Sequence, residues 1–244
     1  MERKKYLTLT ILLLVVFLSI YASNKTEIYK AYISNDMNLW KMTIDEMDQQ
    51  KSKSNDFRLE LLNYQYGYIA WCIGNKKSET AEIYIELGEK NIQMLEKTNS
   101  YASFVNSYKS AFYGYKIGLN LFKAPIIGPK SVECAKLAIK QNVNNPYGYI
   151  QYANSQFYMP AVFGGSKKLA LDYYIKAKNL MERNQIEAIE DWNYLSVLSM
   201  IAKTYTELKD FKQAKTYYEK ILKIEPNFLW VKNELYPELL KNIK

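Results

Sequence analysis

The side chains that most often carry enzymatic chemistry are scarce in this 244-residue sequence, which contains no histidine and two cysteines. The absence of histidine excludes a catalytic triad with an imidazole base, a zinc site with histidine ligands and a histidine pH switch. Cys72 and Cys134 are far apart and form no CxxC motif, which excludes a thiolate zinc site and a redox motif. We expect both to be small buried side chains, and whether they pair stays open. No nucleophile–base pair or metal-ligand set can be assembled, so we expect a protein that is not an enzyme and holds no cofactor.

Two local patterns are better explained by structure than by chemistry. The Gly-Gly-Ser-Lys segment 164–167 precedes a predicted helix, where backbone amides attract anions, but it follows a helix and lacks the P-loop spacing. Glu187, Glu190 and Asp191 lie near a predicted helix start, where the helix dipole favours negative charge. We therefore interpret the first pattern as a turn and the second as helix capping.

The basic excess of the chain is spread along its length. Lys and Arg number 33 against 25 Asp and Glu, a formal net charge of +8, and the longest basic run is Arg3-Lys4-Lys5. A nucleic-acid surface needs denser clustering of basic residues. We therefore expect solvated helix faces and no nucleic-acid partner.

The first 24 residues differ from the remainder. The basic run at residues 3–5 precedes an uncharged, largely apolar stretch over residues 6–24, and small residues follow its centre at Ala22 and Ser23. This order is typical of a secretory signal peptide over residues 1–22, cleaved after Ala22. The alternative is an uncleaved membrane anchor over residues 6–24, since nineteen uncharged residues could just span a bilayer. Both interpretations export the remainder of the chain to the periplasm or cell envelope.

From residue 25 onward, apolar residues recur at spacings of three and four, as on one face of a helix, and no strand-type alternation appears. Short breaks rich in Gly, Asn and Pro separate these segments. The pattern predicts eleven helices, at about 27–35, 37–50, 56–73, 77–97, 99–122, 130–143, 146–159, 166–182, 187–208, 210–224 and 227–242.

The C-terminal segments repeat a pattern of small and large side chains. Ala202 and Ala214 occupy positions where two antiparallel helices approach closely, and Pro226 ends the second helix. With the spacing of Leu198, Ile201, Tyr205, Tyr218 and Ile221, this segment resembles the tetratricopeptide repeat. Upstream, the second-helix positions recur at Ala170, Tyr174 and Ala177, and Pro125 and Pro160 are each followed ten residues later by an alanine, Ala135 or Ala170.

The resemblance covers about residues 130–226 and extends loosely over 56–129. It implies an all-α fold, a right-handed α-solenoid of antiparallel helix hairpins. We therefore divide the chain into the signal peptide or anchor at 1–22, N-terminal helices at 23–55 and a tetratricopeptide-like repeat domain at 56–244.

The resemblance also implies a function, because the family mainly binds proteins or peptides in the concave groove of its superhelix. The family's register assigns the groove positions of this sequence to Tyr152, Ser155, Met159, Ser196, Ser199, Lys203 and Thr206. Lys203 is the best candidate to meet a carboxylate or an acidic segment. The leading hypothesis is an exported, non-enzymatic scaffold for a protein or peptide partner. The alternative is a small-molecule-binding accessory subunit of a transporter-type system. No feature of the sequence indicates an oligomeric state.

Overall fold

The protein is described here by a computed structural model that covers residues 24–183 and 190–243. These residues form eleven α-helices and no strand, which confirms the all-α prediction. The predicted signal or anchor segment 1–22 and the capping residue Glu187 lie outside the described residues. Within the described ranges, no helix is both long and apolar enough to cross a bilayer. The helices are α1 (24–34), α2 (Met37–Gln49), α3 (Asn55–Gly74), α4 (Ser78–Leu95), α5 (Ala102–Leu119), α6 (Ala124–Gln141), α7 (Pro146–Tyr158), α8 (Lys167–Glu182), α9 (Trp192–Glu207), α10 (Phe211–Ile224) and α11 (Tyr236–Ile243).

Side-chain caps set several of the helix starts. Backbone N–H groups in the first turns of α3 and α8 donate to the hydroxyls of Ser54 and Ser166. In the first turn of α10 the acceptor is the carboxylate of Asp210. Such caps satisfy donors that have no partner within the helix. The predicted turn at 164–166 is present, with Gly164 in the left-handed region at φ 93°. Asp191 caps α9, as the sequence indicated.

Helix α6 begins at Ala124, six residues before its predicted start. The prediction placed the boundary after Pro129, but this proline lies inside the helix. The fixed φ of proline is compatible with a helix. Because Pro129 is close to the helix start, its missing N–H removes one backbone hydrogen bond from the early part of α6. Pro125 is thus a first-turn residue of α6, whereas Pro160 precedes a 3-10 turn over Ala161–Phe163. The two prolines are therefore not structurally equivalent.

The helices pack as antiparallel hairpins, α3 with α4, α5 with α6, α7 with α8 and α9 with α10. In three hairpins the fourth residue of the second helix is a fully buried alanine, which allows the two backbones to approach: Ala81, Ala170 and Ala214. The repeat predicted from Ala170 and Ala214 therefore corresponds to the same helix packing in successive hairpins. Tyr218 is buried, whereas Tyr205 is only half-buried and packs on Tyr217 with ring centroids 5.6 Å apart.

The first and fourth hairpins meet across the molecule. The Trp192 indole N–H of α9 donates to the side-chain carbonyl of Asn63 in α3 at 2.9 Å. A Cβ on Gly67 would lie 2.7 Å from the Trp192 ring and 2.6 Å from the Trp40 ring, so only glycine permits this approach. Helix α1 packs at the same junction, where the Tyr32 ring contacts Trp192. We call the side of the hairpins on which α3, α5, α7 and α9 face one another the inner face.

Candidate binding surface on the inner face

Tyr66 lies at the centre of the inner face. From α3, its ring contacts Tyr108 and Tyr115 of α5 and Trp192 of α9, with centroid distances of 5.8, 5.7 and 6.0 Å. Its hydroxyl lies beside the side-chain amides of Gln151 and Asn154 on α7. Three other helices, α5, α7 and α9, therefore place aromatic rings and polar groups around this half-buried tyrosine of α3.

The amides on α7 are held in fixed orientations. Asn154 donates to the side-chain carbonyl of Gln151 at 3.0 Å and accepts from the Tyr174 hydroxyl at 2.5 Å. The amide nitrogen of Gln151 is buried, and within the described residues no acceptor meets hydrogen-bond geometry with it. Buried polar groups are normally paired, because an unmade hydrogen bond costs free energy. Gln151 is 2% exposed, so its amide supports the Tyr66 hydroxyl from beneath the surface.

The tyrosines of this cluster are neutral hydrogen-bonding groups. Burial raises the pKa of Tyr66 and raises that of Tyr115 well above its usual value. Both hydroxyls therefore stay protonated at neutral pH. The Tyr115 hydroxyl donates to the backbone carbonyl of Tyr66 at 3.0 Å, which ties α5 to α3. Tyr158, one helical turn after Asn154, is exposed and interacts electrostatically with Tyr66, which places it at the rim of the cluster.

Asn63 joins the same four helices beneath the cluster. Besides accepting from Trp192, its side-chain carbonyl accepts from the Asn193 amide at 3.1 Å. Its side-chain amide donates to the hydroxyls of Tyr108 and Tyr147 at 2.8 and 3.1 Å. This buried network fixes the spacing of α3, α5, α7 and α9 and so holds the inner face in shape.

The predicted groove residues on α9 occupy different environments. Ser199 is fully buried and donates to the Leu195 carbonyl at 2.8 Å, so its hydroxyl is not available at the surface. Thr206 is half-buried and donates to the Ala202 carbonyl at 3.0 Å. Ser196 is half-buried beside the Tyr32 hydroxyl of α1. Helix α1 therefore occupies part of the space that an open groove would leave along α9.

Lys203 is half-buried rather than fully exposed. Its ammonium lies 5.8 Å from the centroid of the Trp230 ring. Burial lowers its pKa, with a smaller contribution from the nearby charge of Lys167, while Glu207 and Glu238 act in the opposite direction. Among the predicted residues, Lys203 offers a cation in a partly desolvated position, where ionic contacts are stronger than at an open surface.

The predicted residues on α7 do not form one group. The Tyr152 ring packs on Tyr173 of α8 at 4.5 Å, and the Lys136 ammonium of α6 lies 5.8 Å from its centroid. The Ser155 hydroxyl donates to the Tyr152 carbonyl at 2.7 Å. Met159 is half-buried at the end of α7, where its carbonyl leaves no room for a Cβ on Gly165. Tyr152 thus belongs to the packing within the α7–α8 hairpin and against α6, apart from the Tyr66 cluster.

Sequence reasoning missed Tyr66, Tyr115, Gln151 and Asn154. The two tyrosines could not be distinguished among the 23 of the chain. Gln151, Asn154 and Tyr158 carried a usable signal, because their spacing of three and four places polar groups on one face of α7. A separate surface depression of about 270 Å³ lies between α4 and α5, where Lys109 pairs with Glu96. The residues that line this depression are not those of the inner face.

The comparisons with known proteins support this architecture. The tetratricopeptide repeat model matches residues 195–228, which span most of α9, all of α10 and the turn that follows. Residues 195–228 are a tetratricopeptide repeat. No curated protein matches the chain. Among solved structures, the HusA haemophore from Porphyromonas gingivalis superposes with a TM-score of 0.62 at 18% identity, covering 77% of this chain and 94% of that one. At this identity the likeness shows a shared helical fold.

Proposed function

We propose that the chain is an exported, non-enzymatic helical-repeat scaffold that binds a protein or peptide partner through its inner face. The observation that carries the proposal is the half-buried Tyr66 hydroxyl, which lies beside the Gln151 and Asn154 amides and near the exposed Tyr158. A peptide backbone offers a carbonyl acceptor at every residue, which suits the hydroxyl groups of Tyr66 and Tyr158 as donors. Lys203 supplies a cation for a carboxylate of the same partner.

The closure of the molecule restricts the length of the partner segment. Because Trp192 contacts Asn63 and α1 lies along the first half of α9, the accessible part of the inner face runs over α3, α5 and α7 and includes the second half of α9, where Lys203 lies. This geometry favours a short peptide segment or a protruding loop of a folded partner over a long extended chain.

A crosslinking experiment tests the location of the partner. A photoreactive amino acid is placed at Tyr158, on the rim of the cluster, or at Lys212, an exposed position on α10. Both full-length variants are expressed in the native host and irradiated in intact cells. We expect the same protein to be captured from position 158 and not from position 212. Capture from position 212 alone would contradict the proposal.

The captured partner is then titrated against single variants. Lys203→Gln removes the inner-face cation, and Lys212→Gln is the matched control at an exposed site. We expect Lys203→Gln to weaken binding roughly tenfold, as for loss of one charge-assisted contact. The control should bind like the wild type. Equal affinities of the two variants would show that Lys203 is not part of the interface.

Export is part of the same proposal and is tested separately. The basic and apolar N-terminal sequence supports a cleaved signal peptide. N-terminal sequencing of the protein from the native cell envelope is expected to begin at Ser23. Intact Met1 on envelope protein would favour the anchor alternative, and intact Met1 on soluble cytosolic protein would overturn export.

A small molecule is the second candidate, and the haemophore neighbour favours it. Haem is a flat macrocycle with two carboxylates, which tyrosine rings and a lysine could contact. The chain has no histidine to bind the iron, and the raised pKa of Tyr66 and Tyr115 opposes a phenolate ligand. Binding would therefore rest on ring and carboxylate contacts. A saturable change in haem absorbance at one equivalent, weakened by Tyr158→Ala, would support this candidate over the peptide; an unsaturable change would exclude it.

A further inference from the structure

Two connections of the repeat lie at the same end of the hairpins. Helices α5 and α7 pack side by side, and each pairs with the antiparallel helix that follows it. The Ser103 hydroxyl near the start of α5 donates to the Ala138 carbonyl near the end of α6, which confirms the antiparallel pairing of that hairpin. The α5–α6 and α7–α8 connections therefore form one edge. The first contains the 3-10 turn Leu121–Lys123 and the second contains the 3-10 turn Ala161–Phe163. We call this edge the loop edge.

Large apolar side chains protrude from the loop edge. In the first connection Leu121 is 74% exposed and Phe122 is 92% exposed, and in the second Val162 is 83% and Phe163 is 74% exposed. Ile126, in the first turn of α6, is exposed as well. Large apolar side chains exposed to this degree mark an interaction site. Covering them with a partner surface would remove apolar area from water, which is favourable.

The two connections that define the loop edge are positively charged. Residues 118–132 and 157–171 contain four lysines and no acidic residue: Lys123, Lys130, Lys167 and Lys168. The α3–α4 connection reaches the same end of the hairpins with Lys76, Lys77 and Glu79, and the α9–α10 connection reaches it with Glu207, Lys209 and Asp210. Lys167 is engaged with the Phe157 carbonyl and ring, while Lys123, Lys130 and Lys168 are exposed.

We infer that the loop edge docks on the surface of an anionic lipid bilayer. Separate apolar side chains on convex turns can enter the acyl region, and surrounding lysines attract anionic headgroups. A second copy of this chain fits the loop edge less well, because joining two such edges would place lysines against lysines. This surface adjoins the inner face at Tyr158 but is built from other residues, and the inference does not rest on the function proposed above.

The position of α1 sets the orientation of the docked molecule. Thr26 of α1 donates to Glu190, which lies next to the start of α9 and so at the end opposite the loop edge. Val143, exposed in the α6–α7 connection, lies at that opposite end. Probes at the two ends can therefore distinguish docking by the loop edge from approach of the α1 end to a membrane.

The test uses the full chain with a polarity-sensitive fluorophore on a single cysteine. Val162→Cys or Val143→Cys is labelled in a Cys134→Ser background, in which the remaining Cys72 is buried. Vesicles contain phosphatidylcholine alone or with one third phosphatidylglycerol. We expect a blue shift of the probe at 162 with the anionic vesicles, a much weaker one with the neutral vesicles, and none at 143.

Variants identify the residues responsible. Phe122→Ser combined with Phe163→Ser should lower the apparent partition coefficient at least tenfold, and Lys123→Gln or Lys168→Gln about fivefold each. A blue shift at 143 without one at 162, or no shift at either position, would overturn the inference. A shift at 162 that grows with protein concentration in the absence of vesicles would assign the edge to a second copy instead.

Discussion

Glycine and asparagine at single positions of α3 determine how closely the first and fourth hairpins approach. Asn63 satisfies the polar groups of three other helices, and Gly67 leaves space for the rings of Trp40 and Trp192. The two residues lie one turn apart on α3, so they act on the same junction. The shape of the inner face therefore depends on the hydrogen bonds of Asn63 and on the lack of a side chain at Gly67.

The first prediction concerns Gly67. Gly67→Ala should lower the free energy of unfolding by about 1–3 kcal/mol, because the new Cβ would lie 2.6 Å from the Trp40 ring. Gly114→Ala is the matched control in α5, where nothing lies within 4 Å of the added Cβ. There the substitution should stabilise by roughly 0.5–1 kcal/mol, since alanine favours helix. Chemical denaturation of both variants measures the difference, and equal effects would contradict the close approach.

At the scale of elements, small residues bring paired helices together and charged residues tie neighbouring hairpins. Ala202 and Ala214 are fully buried where α9 and α10 pack. Glu182, at the end of α8, accepts from Lys178 at 2.8 Å, from Tyr194 of α9 at 2.7 Å and from Lys220 of α10 at 3.0 Å. The carboxylate thus connects the third hairpin to the fourth.

The second prediction tests the register of the tetratricopeptide repeat. Ala214→Leu should overpack the contact between α9 and α10 and lower the free energy of unfolding by about 1–3 kcal/mol. Lys212→Leu, two residues earlier on the exposed face of α10, should change it by less than about 0.5 kcal/mol. Thermal and urea denaturation measure both. Equal stability of the two variants would show that the register is wrong.

The third prediction concerns pH. Burial alone would raise the pKa of Glu182, but the hydrogen bonds from Lys178, Tyr194 and Lys220 prevail and lower it from 4.5 to about 2. A lowered folded-state pKa stabilises the fold above the unfolded value and loses this contribution as the pH falls. The stability difference between wild type and Glu182→Gln should therefore be largest above pH 5 and should shrink between about pH 4.5 and 2. Urea midpoints measured across this range test it, and a difference that does not change with pH would contradict it.

At the scale of the whole molecule, contacts join α1 to α9 and to the segment that follows α10. The Tyr29 hydroxyl of α1 donates to Glu225, beyond α10, at 3.2 Å. The Tyr32 ring lies between Trp192 and Phe228, at 5.6 and 4.9 Å. Stacked repeats usually contact their neighbours alone, so these contacts should couple the unfolding of the first and last hairpins.

The fourth prediction tests this coupling. Trp192→Ala should lower the free energy of unfolding by about 3–5 kcal/mol and should speed amide hydrogen exchange in α3, because Asn63 loses the indole donor. Trp230→Ala removes a half-buried tryptophan from the C-terminal segment and serves as the control. It should leave exchange in α3 unchanged. Exchange that increases in α9 alone for Trp192→Ala would show that the hairpins unfold independently.

Much of the fold was predictable because its causes are local. The period of apolar residues, the caps at Ser54 and Asp210 and the alanines at 170, 202 and 214 depend on neighbours within one hairpin. The boundary of α6 was misplaced because Pro129 is tolerated near a helix start. The polar stripe of Gln151, Asn154 and Tyr158 was also local, and its spacing alone indicates a shared helix face.

The composition of the inner face was decided by tertiary structure. Helical periodicity marks which face of a helix is apolar, but the groove positions also depend on what lies across from them. Ser199 is buried and Ser196 is half-buried beside Tyr32 of α1, a helix more than 160 residues earlier in the sequence. Tyr66 is central because α3 meets α9, a contact of high sequence separation that no local pattern encodes. Those long-range contacts determine which of 23 tyrosines face the candidate site.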